Sequence, residues 1–508
     1  MNFSLTRDIV GARPQVYDPD LKVETVAQGL KLPTSIAFLG PNDMLVLEKD
    51  RGTVTRIVDG KILSQPLLNL SVATYLERGM QGIEVARHNS HTFIFLSFTG
   101  SGGGRLGDDS SEGLQPLGNV LYKYELIKDE SGHLQLRPDM LLSLLPATPG
   151  PYHNGGKIII GPDKNVYYSI GDVSLDSRSV LPRSLFHHTK AQNFQNGTDP
   201  DGSGGILRIT ENGTAVDNGI IGSAYPMNLY YAYGIRNSFG MDFDPLTGNL
   251  WDTENGPRYG DEINLVIPGF NSGWRTVQGI WKPMDVSYAG NVTLKPKDLV
   301  DFGGKGKYRP PEFIWNKPVG PTALKFLTSG RLGTGYKNDM FVGDFNNGRI
   351  YHFKLNKDRT GLVLAGILAD KIAKADADLK DVIFGDGFGG ISDIKVGPDG
   401  YLYIVSIGQG KIYRISSQEK HQNNTEQASV YNNKSNNSAT SPSSSLAQIR
   451  ADRHPLDYNY TNFDSWTTDT RIHLNQCIMA LDFGDIPAAL DQLRLAERQL
   501  SIHFKEPF

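Results

Sequence analysis

The chain has 508 residues, a formal net charge of −4 and 39% hydrophobic residues, so it contains enough apolar sequence to bury a large core. Acidic and basic residues are interspersed, which excludes a polyanion-binding surface and argues against nucleic acid as a partner. No apolar run is long enough for a transmembrane segment. The single cysteine, Cys477, excludes an intramolecular disulfide.

Glycosylation sequons favour an exported protein, at the cell surface, in the periplasm or outside the cell. The first eight residues lack the apolar core of a signal peptide, so no targeting segment is visible in this chain. Examples that fit the Asn-X-Ser/Thr pattern begin at Asn69, Asn196, Asn212, Asn291, Asn423, Asn433 and Asn459.

A strand–turn–strand pattern recurs after an extended lead-in predicted for residues 1–30. Its first copy is an apolar run around Ile36, a Gly-Pro-Asn-Asp turn and a second apolar run. Repeats of about four strands, without helical periodicity between them, predict an all-β fold, a six-bladed β-propeller over residues 31–415. Further copies begin near Ile83, Ile158, Met241, Leu324 and Ile394.

The composition changes after the last repeat. Residues 416–447 are rich in Ser, Asn and Gln and poor in apolar residues, which predicts a disordered linker. In residues 448–508, apolar residues recur at helical spacing on both sides of Gly484-Asp485-Ile486-Pro487, which predicts a small helical hairpin. A unit of this size is too small to stand alone, so we expect it to dock on the propeller, another subunit or a partner.

A histidine and a carboxylate flank one predicted hairpin. His153 lies in a glycine-containing loop before the first strand, and Asp172 follows the second strand. Because a hairpin returns its end to its beginning, we expect these two side chains to be neighbours. A carboxylate that orients a histidine is typical of a general base, although the residues alone leave open a purely structural pair.

Two further stretches carry polar groups suited to chemistry. Arg236 lies between glycines at the entrance of a predicted strand, where it serves either as a structural bridge or as a cation for carboxylates and a developing oxyanion. Glu262 follows a Gly-Pro turn, and carboxylates beside backbone carbonyls are suitable ligands for Ca²⁺. The alternative for this second stretch is a solvated acidic turn.

Six short motifs occur along the chain: Glu77-Arg78-Gly79-Met80-Gln81-Gly82; Tyr152-His153-Asn154-Gly155-Gly156-Lys157; Ile170-Gly171-Asp172; Tyr233-Gly234-Ile235-Arg236-Asn237; Glu254-Asn255-Gly256-Pro257 with Asp261-Glu262-Ile263-Asn264-Leu265; and Gly397-Pro398-Asp399-Gly400. In this order they resemble the glucose/sorbosone dehydrogenase family, soluble quinoproteins that use pyrroloquinoline quinone on a six-bladed propeller. The resemblance covers roughly residues 25–415.

The resemblance implies a role for each matching residue. His153 would take the proton from the anomeric hydroxyl of a sugar while hydride passes to the quinone, and Asp172 would orient it. Arg236 would bind the carbonyl region of the quinone and stabilise its developing charge, with Asn237 beside it. Glu77 stands where the family often has a glutamine that contacts the cofactor.

The resemblance also implies two calcium sites. The backbone carbonyls of Gly256 and Pro257 would hold the Ca²⁺ that bridges to the cofactor and polarises it. Glu262 and Ser272 match a second, structural calcium site.

Three departures from the family pattern remove expected cofactor contacts. Asn346 takes the position of a lysine on the fifth blade, where we expect it to contact the cofactor, and Gly390 and Ser392 take the positions of two arginines. Pyrroloquinoline quinone has three carboxylates, and burying them without cationic partners is costly. The candidates for replacing these cations are Lys157, Arg258, Lys325 and Lys317.

The function that this sequence favours is a calcium-assisted, quinone-dependent dehydrogenase of aldose sugars or related alcohols, with an external electron acceptor. One alternative is a calcium-dependent, lactonase-like propeller hydrolase, in which the same histidine and cation activate water. The other is a propeller that binds a glycan or protein without turnover.

Overall fold

The structure, a computed structural model, describes residues 13–101, 116–175, 188–216, 218–283 and 295–418. These ranges contain strands and short 3-10 helices and no α-helix. The 3-10 helices are Lys190–Gln192, Met227–Leu229, Pro296–Asp298, Thr334–Tyr336, Gly366–Leu368 and Asp376–Leu379. The strands are β1 Gln15–Val16, β2 Leu21–Gln28, β3 Pro33–Gly40, β4 Asp43–Glu48, β5 Thr53–Val58, β6 Lys61–Ile62, β7 Leu68–Asn69, β8 Met80–His88, β9 His91–Ser101, β10 Pro116–Lys128, β11 Leu134–Leu145, β12 Ile158–Ile160, β13 Val166–Ile170, β14 Gly205–Ile209, β15 Tyr230–Tyr233, β16 Ser238–Phe243, β17 Leu250–Glu254, β18 Asp261–Val266, β19 Phe270–Asn271, β20 Val277–Gln278, β21 Lys282–Pro283, β22 Lys307–Tyr308, β23 Phe313–Trp315, β24 Pro321–Phe326, β25 Met340–Asp344, β26 Ile350–Phe353, β27 Ile372–Ala373, β28 Ile383–Asp386, β29 Ile391–Val396, β30 Leu402–Ser406 and β31 Lys411–Ser417.

Six sheets of four to six strands contain all the described strands except β20 and β21, which pair with each other. Each sheet begins with an inner strand and continues outward. Sheet I is β3-β4-β5-β6 with β7 on β5; sheet II is β8-β9-β10-β11; sheet III is β12-β13-β14-β15-β19-β22; sheet IV is β16-β17-β18-β23-β27; sheet V is β24-β25-β26-β28-β1; and sheet VI is β29-β30-β31-β2.

The inner strands form a ring. Each inner strand contacts the inner strand of the next sheet, and β29 of sheet VI contacts β3 of sheet I again. The repeat starts found in the sequence lie in β3, β8, β12, β16, β24 and β29, which are these inner strands. The predicted all-β propeller is therefore confirmed.

The two ends of the propeller meet in sheet VI. Strand β2 pairs antiparallel with β31, with Leu21 opposite Ser417 and Gln28 opposite Lys411. Strand β1 pairs with β28 at the outer edge of sheet V. The predicted lead-in thus contributes two strands, and backbone hydrogen bonds between the N-terminal and C-terminal parts close the ring.

The hydrophobic core lies between neighbouring sheets. Trp251 and Trp315 of sheet IV, for example, pack with Phe326 and Tyr351 of sheet V, and all four are fully buried. Burying one such side chain contributes about 1.5–3 kcal/mol, so each interface between sheets fixes the position of the loops above it.

The predicted helical hairpin at 448–508 and all of the predicted linker except residues 416–418 lie outside the described residues. In the ranges that the structure covers, no helix combines the length and apolar character needed to cross a membrane.

Candidate active site

His153 lies in the loop before β12 and is buried. Its backbone is left-handed, with φ 60, a conformation that is uncommon outside glycine. Its backbone N–H donates to Glu77 Oε2 at 2.7 Å, which holds the peptide in place. Its Nδ1 lies 2.5 Å from Asp172 Oδ1, and among the described residues the ring makes no other hydrogen bond. The lone pair of Nε2 is therefore available to accept a proton.

Asp172 is held by contacts from three sides. Strands β12 and β13 form the predicted antiparallel hairpin, which brings Asp172 next to His153. Its Oδ2 accepts a hydrogen bond from Trp274 Nε1 at 2.7 Å. Its backbone N–H donates to the carbonyl of Arg236 at 3.0 Å. Because both carboxylate oxygens have partners, the side chain is fixed in the orientation that the imidazole needs.

Gly171 allows three backbone segments to meet beside the pair. A Cβ atom at this position would lie 2.5 Å from the carbonyl oxygens of both Arg236 and His153. Only a residue without a side chain tolerates this approach. The Gly-Asp sequence after β13 therefore places Arg236 and His153 next to each other.

Arg236 and Asn237 enter the site from the start of β16. The backbone N–H of Arg236 donates to Glu254 Oε1 at 2.6 Å, and its Nη1 donates to the carbonyl of Asn255 at 2.7 Å. Its guanidinium carbon lies 5.3 Å from the centre of the Trp274 ring. Asn237 Nδ2 donates to Glu77 Oε2 at 3.2 Å. Glu77, Arg236 and Asn237 thus lie around the histidine.

The charges around the histidine keep it neutral and keep Asp172 ionised. Burial, and then the nearby Arg236 cation, lower the pKa of His153 below its ordinary 6.5. Burial alone would raise the pKa of Asp172, but His153 and Arg236 outweigh burial and hold that pKa below its ordinary value. A neutral imidazole beside a carboxylate is the form required of a general base.

The Gly256-Pro257 turn presents two backbone carbonyls near the site. The backbone N–H of Gly256 donates to Asp261 Oδ1 at 2.7 Å, and Asp261 Oδ2 accepts from the backbone N–H groups of Val319 and Gly320 at 2.7 Å each. No hydrogen bond within the described residues ends on the carbonyl of Gly256 or Pro257. Two free carbonyl oxygens held by a rigid turn suit a calcium ion.

Glu262 and Ser272 meet in a buried polar region. Ser272 Oγ lies 2.6 Å from Glu254 Oε2 and 3.3 Å from Glu262 Oε2. Burial raises the pKa of Glu262 to about 8 and that of Asp252 to about 7. The described residues contain no group of three or more His, Cys, Asp or Glu side chains with metal-binding geometry, so an ion at this position would need carbonyl and hydroxyl ligands as well.

The positions that depart from the family pattern supply no cation. Asn346 is exposed and donates to the carbonyl of Pro318 at 3.3 Å. Gly390 is buried with φ 74, and Ser392 donates to the carbonyl of Pro33 at 2.9 Å. None of these three side chains can neutralise a carboxylate.

Only one of the four replacement candidates faces a cavity. Arg258 and Lys317 are exposed. Lys325 is paired with Asp242 at 2.8 Å. Lys157 is buried and lines an internal cavity that also contacts Glu77.

This cavity lies on the axis of the propeller, because residues in or directly before the inner strand of every sheet line it. Together with the solvent-open space at its mouth, it encloses about 630 Å³. Lys49 and Glu77 complete its charged lining. We call it the axial cavity, and its lining from the inner strands is Thr34, Met80, Lys157, Phe239, Thr322 and Ser392.

The sequence alone did not predict the contacts of two residues in this region. No local signal predicts that Trp274 contacts Asp172, because its hydrogen bond comes from a loop about 100 positions away. Lys49 follows β4 and carries no motif, so no local signal could have placed it in the cavity.

Comparison with protein-family models matches residues 30–414 to the family Glucose / Sorbosone dehydrogenase. The chain is 24% identical over 400 residues to an aldose sugar dehydrogenase of Escherichia coli strain K12, covering 78% of this chain and 93% of the relative. It is 33% identical over 268 residues to quinoprotein glucose dehydrogenase B of Acinetobacter calcoaceticus, covering 43% of this chain and 54% of the relative.

Solved structures share the fold. One is the form of an aldose sugar dehydrogenase from Streptomyces coelicolor bound to pyrroloquinoline quinone, with a TM-score of 0.53, 20% identity and coverage of 80% of this chain and 99% of that chain. Another is the apo form of the soluble Escherichia coli aldose sugar dehydrogenase, with a TM-score of 0.55, 21% identity and coverage of 78% and 100%.

Proposed function

Because the chain belongs to the glucose/sorbosone dehydrogenase family, we propose that it oxidises the anomeric hydroxyl of aldose sugars, with pyrroloquinoline quinone as its cofactor and calcium as a Lewis acid. Its role as an oxidoreductase of sugars follows from the family and from the relatives described above. The observation that carries the mechanism is the buried 2.5 Å contact between His153 Nδ1 and Asp172 Oδ1.

In this mechanism Nε2 of His153 accepts the proton of the anomeric hydroxyl. Asp172 keeps Nδ1 protonated and stabilises the imidazolium that forms. Trp274 holds Asp172 in position. Bound pyrroloquinoline quinone would supply the hydride acceptor, and Arg236 and Asn237 are the residues that would hold its carbonyl region.

Calcium fits the ligand chemistry of two places. The free carbonyls of Gly256 and Pro257 would hold the ion that polarises the cofactor. Glu262 and Ser272 would hold a second, structural ion, which would take the place of the protons that burial favours on Glu262 and Asp252.

Each of the six sheets is one blade in this proposal, and the propeller extends beyond the bounds of 31–415 predicted from the sequence, because β1 and β2 belong to sheets V and VI and β31 ends at Ser417. The docking of the 448–508 segment on the propeller, a subunit or a partner stays a prediction.

A location outside the cytosol also stays a prediction. A shift in electrophoretic mobility after glycosidase treatment of the native protein would support export. If the protein is absent from the secreted and periplasmic fractions, export is contradicted.

Reconstitution tests the proposed function directly. Apoprotein is mixed with Ca²⁺ and pyrroloquinoline quinone, and both the absorption spectrum of the cofactor and the sugar-dependent reduction of a dye are recorded. We expect a shifted spectrum and dye reduction that His153→Ala abolishes without changing the circular dichroism of the protein. No spectral change at saturating cofactor would refute the proposal.

Two other outcomes would point to the alternatives. Hydrolysis of a lactone panel without the quinone, lost in His153→Ala, would favour the propeller hydrolase. Saturable glycan binding without oxidation or hydrolysis would favour a non-catalytic binding propeller.

A further inference from the structure

The cofactor of the proposed function has three carboxylates, and this chain lacks a cation at each of three positions where the family pattern has one. Asn346, Gly390 and Ser392 occupy those positions. Asn346 is exposed and donates to a backbone carbonyl, Ser392 donates to another, and Gly390 has no side chain. If the carboxylates are neutralised inside the protein, the cations must come from another part of the site.

Two buried lysines supply positive charge to the axial cavity. Lys157 lies directly before β12 and is 8% exposed, and Lys49 follows β4 and is 5% exposed. Both line the cavity next to Glu77. Glu77 also accepts the backbone hydrogen bond of His153, so the cavity borders the catalytic histidine.

Lys157 retains capacity to bind an anion. Its Nζ lies 2.6 Å from Asp393 Oδ1, and no other hydrogen bond of Nζ occurs within the described residues. An ammonium has three N–H groups. Asp393 in turn accepts hydrogen bonds from Ser35 Oγ at 2.6 Å and from the backbone N–H of Ile36 at 3.2 Å, so its charge is shared among several donors.

Lys49 adds a second buried cation, whose charge is stabilised by the carboxylates of Asp50 and Glu77. Its Nζ lies 2.6 Å from Asp50 Oδ1 and 3.2 Å from the carbonyl of Thr74. The side chain of Asp50 is 44% exposed, so water screens it. Lys49 itself is buried, where its field on a cavity ligand is screened much less.

The cavity hydroxyls cannot replace the lysines as donors. Thr34 donates to the carbonyl of Met80, Thr322 to that of Ile391, and Ser392 to that of Pro33. The remaining lining is largely apolar and includes Phe239, Phe345 and Ile407. A planar aromatic anion matches a lining of aromatic walls and ammonium groups.

We propose that Lys157 and Lys49 bind carboxylate of pyrroloquinoline quinone in the axial cavity and so replace the cations absent at positions 346, 390 and 392. This inference rests on the proposed function. It assigns the anionic side of the cofactor to lysines of sheets I and III.

The test measures cofactor affinity without turnover. Full-length apoprotein with Ca²⁺ is titrated with pyrroloquinoline quinone, and binding is followed by equilibrium dialysis and cofactor absorption. We expect Lys49→Met and Lys157→Met each to weaken binding at least about tenfold, equivalent to about 1.4 kcal/mol. Lys325→Met is the matched control, because Lys325 is paired with Asp242 and does not line the cavity, and we expect its affinity to be within twofold of the unsubstituted protein.

Two additions keep the test decisive if Lys157→Met fails to fold. The double variant Lys157→Met/Asp393→Asn removes the buried pair together and leaves no uncompensated charge. In addition, the trimethyl ester of the cofactor lacks the anionic groups, so we expect it to bind the unsubstituted protein weakly and to lose nothing further in Lys49→Met.

The possible failures are distinguishable. If folded Lys49→Met and the double variant bind the free acid within twofold of the unsubstituted protein, the lysine assignment is wrong and the proposed function stands. If the unsubstituted protein binds no pyrroloquinoline quinone at all, both the assignment and the proposed cofactor are wrong.

Discussion

His153 is constrained more strongly through its backbone than through its ring. Its left-handed peptide is held by Glu77, while its ring makes one hydrogen bond, to Asp172. Strained conformations of this kind persist only where neighbours enforce them. The arrangement gives the imidazole one orientation and leaves Nε2 open.

Asp172→Asn should greatly reduce the rate of sugar oxidation. The amide removes the charge that stabilises the imidazolium and permits the wrong tautomer. We expect kcat to fall by roughly 10²–10⁴-fold, the range for a general base, with little change in cofactor affinity. Asp163→Asn, in the turn of the same hairpin, is the control and should keep near-normal kcat. A kcat of Asp172→Asn within threefold of the unsubstituted enzyme would contradict the assignment of Asp172 as the residue that orients His153.

The rate should lose its dependence on pH above about pH 6.5. His153 acts as a base only when neutral, and burial and Arg236 lower its pKa below 6.5. The protonated, inactive form therefore accumulates only at lower pH. We expect the acid limb of kcat/KM for the reconstituted enzyme to have its midpoint below 6.5. A midpoint above 6.5, unaffected by changing the sugar, would show that a different group titrates.

Local sequence predicted the residues of the site better than their contacts. Hairpin geometry placed His153 beside Asp172, because both flank one short hairpin. The hydrogen bond from Trp274 and the place of Lys49 depend on contacts between distant segments. No periodicity or local motif encodes such contacts.

At the scale of elements, strands β17 and β18 concentrate acidic groups in the core. Glu254 stands opposite Glu262 across this strand pair, and Asp252 stands opposite Asn264. All four are buried. Like charges opposite each other in a sheet are destabilising, so a cation or protons must offset them.

Calcium should stabilise the protein through Glu262. An ion that binds only the folded state raises the melting temperature, and we expect a rise when Ca²⁺ is added to chelator-treated protein. In Glu262→Gln this rise should be reduced by half or more, because a buried anionic ligand is lost. Calorimetry measures both. Glu24→Gln, which alters an ion pair with Arg414 in sheet VI, is the control and should keep the full rise in melting temperature. An equal rise in Glu262→Gln would exclude Glu262 as a calcium ligand.

The junction between sheets VI, I and III depends on one buried carboxylate. Asp393 of β29 accepts hydrogen bonds from Ser35 of β3 and from Lys157 before β12. Asp393→Asn leaves the lysine unpaired, so we expect the free energy of unfolding to fall by about 3–5 kcal/mol. Urea denaturation measures it. Asp376→Asn is the control, because the side chain of Asp376 is 49% exposed and its partners Lys317 and Arg349 lie 3.9 Å and 3.7 Å away. We expect it to change stability by less than about 1 kcal/mol. Equal losses in the two variants would refute the assignment.

At the scale of the whole molecule, the ring of sheets is closed by strands from the two ends of the propeller. The repeat starts in the sequence identified the inner strands, because turn residues and alternating apolar runs are local signals. The pairing of β2 with β31 joins segments nearly 400 positions apart, and residues 1–30 showed only an extended pattern. The closure of the ring by β2 and β31 was therefore the part of the fold that sequence periodicity could not predict.

Removing the closing strand should weaken the entire propeller. Deletion of residues 1–28 removes β2, together with the two-residue edge strand β1, and leaves the hydrogen-bonding edge of β31 and the buried side of Ile415 exposed. We expect a melting temperature lower by at least about 10 °C and greater aggregation, measured by calorimetry and light scattering. Deletion of residues 1–13, which keeps β1 and β2, is the control. Strand β31 lies outward of the inner strand β29, so it does not contact the cofactor site directly. We therefore expect the deletion to abolish cofactor binding only if it opens the ring. A stable, cofactor-binding protein without residues 1–28 would therefore place closure elsewhere.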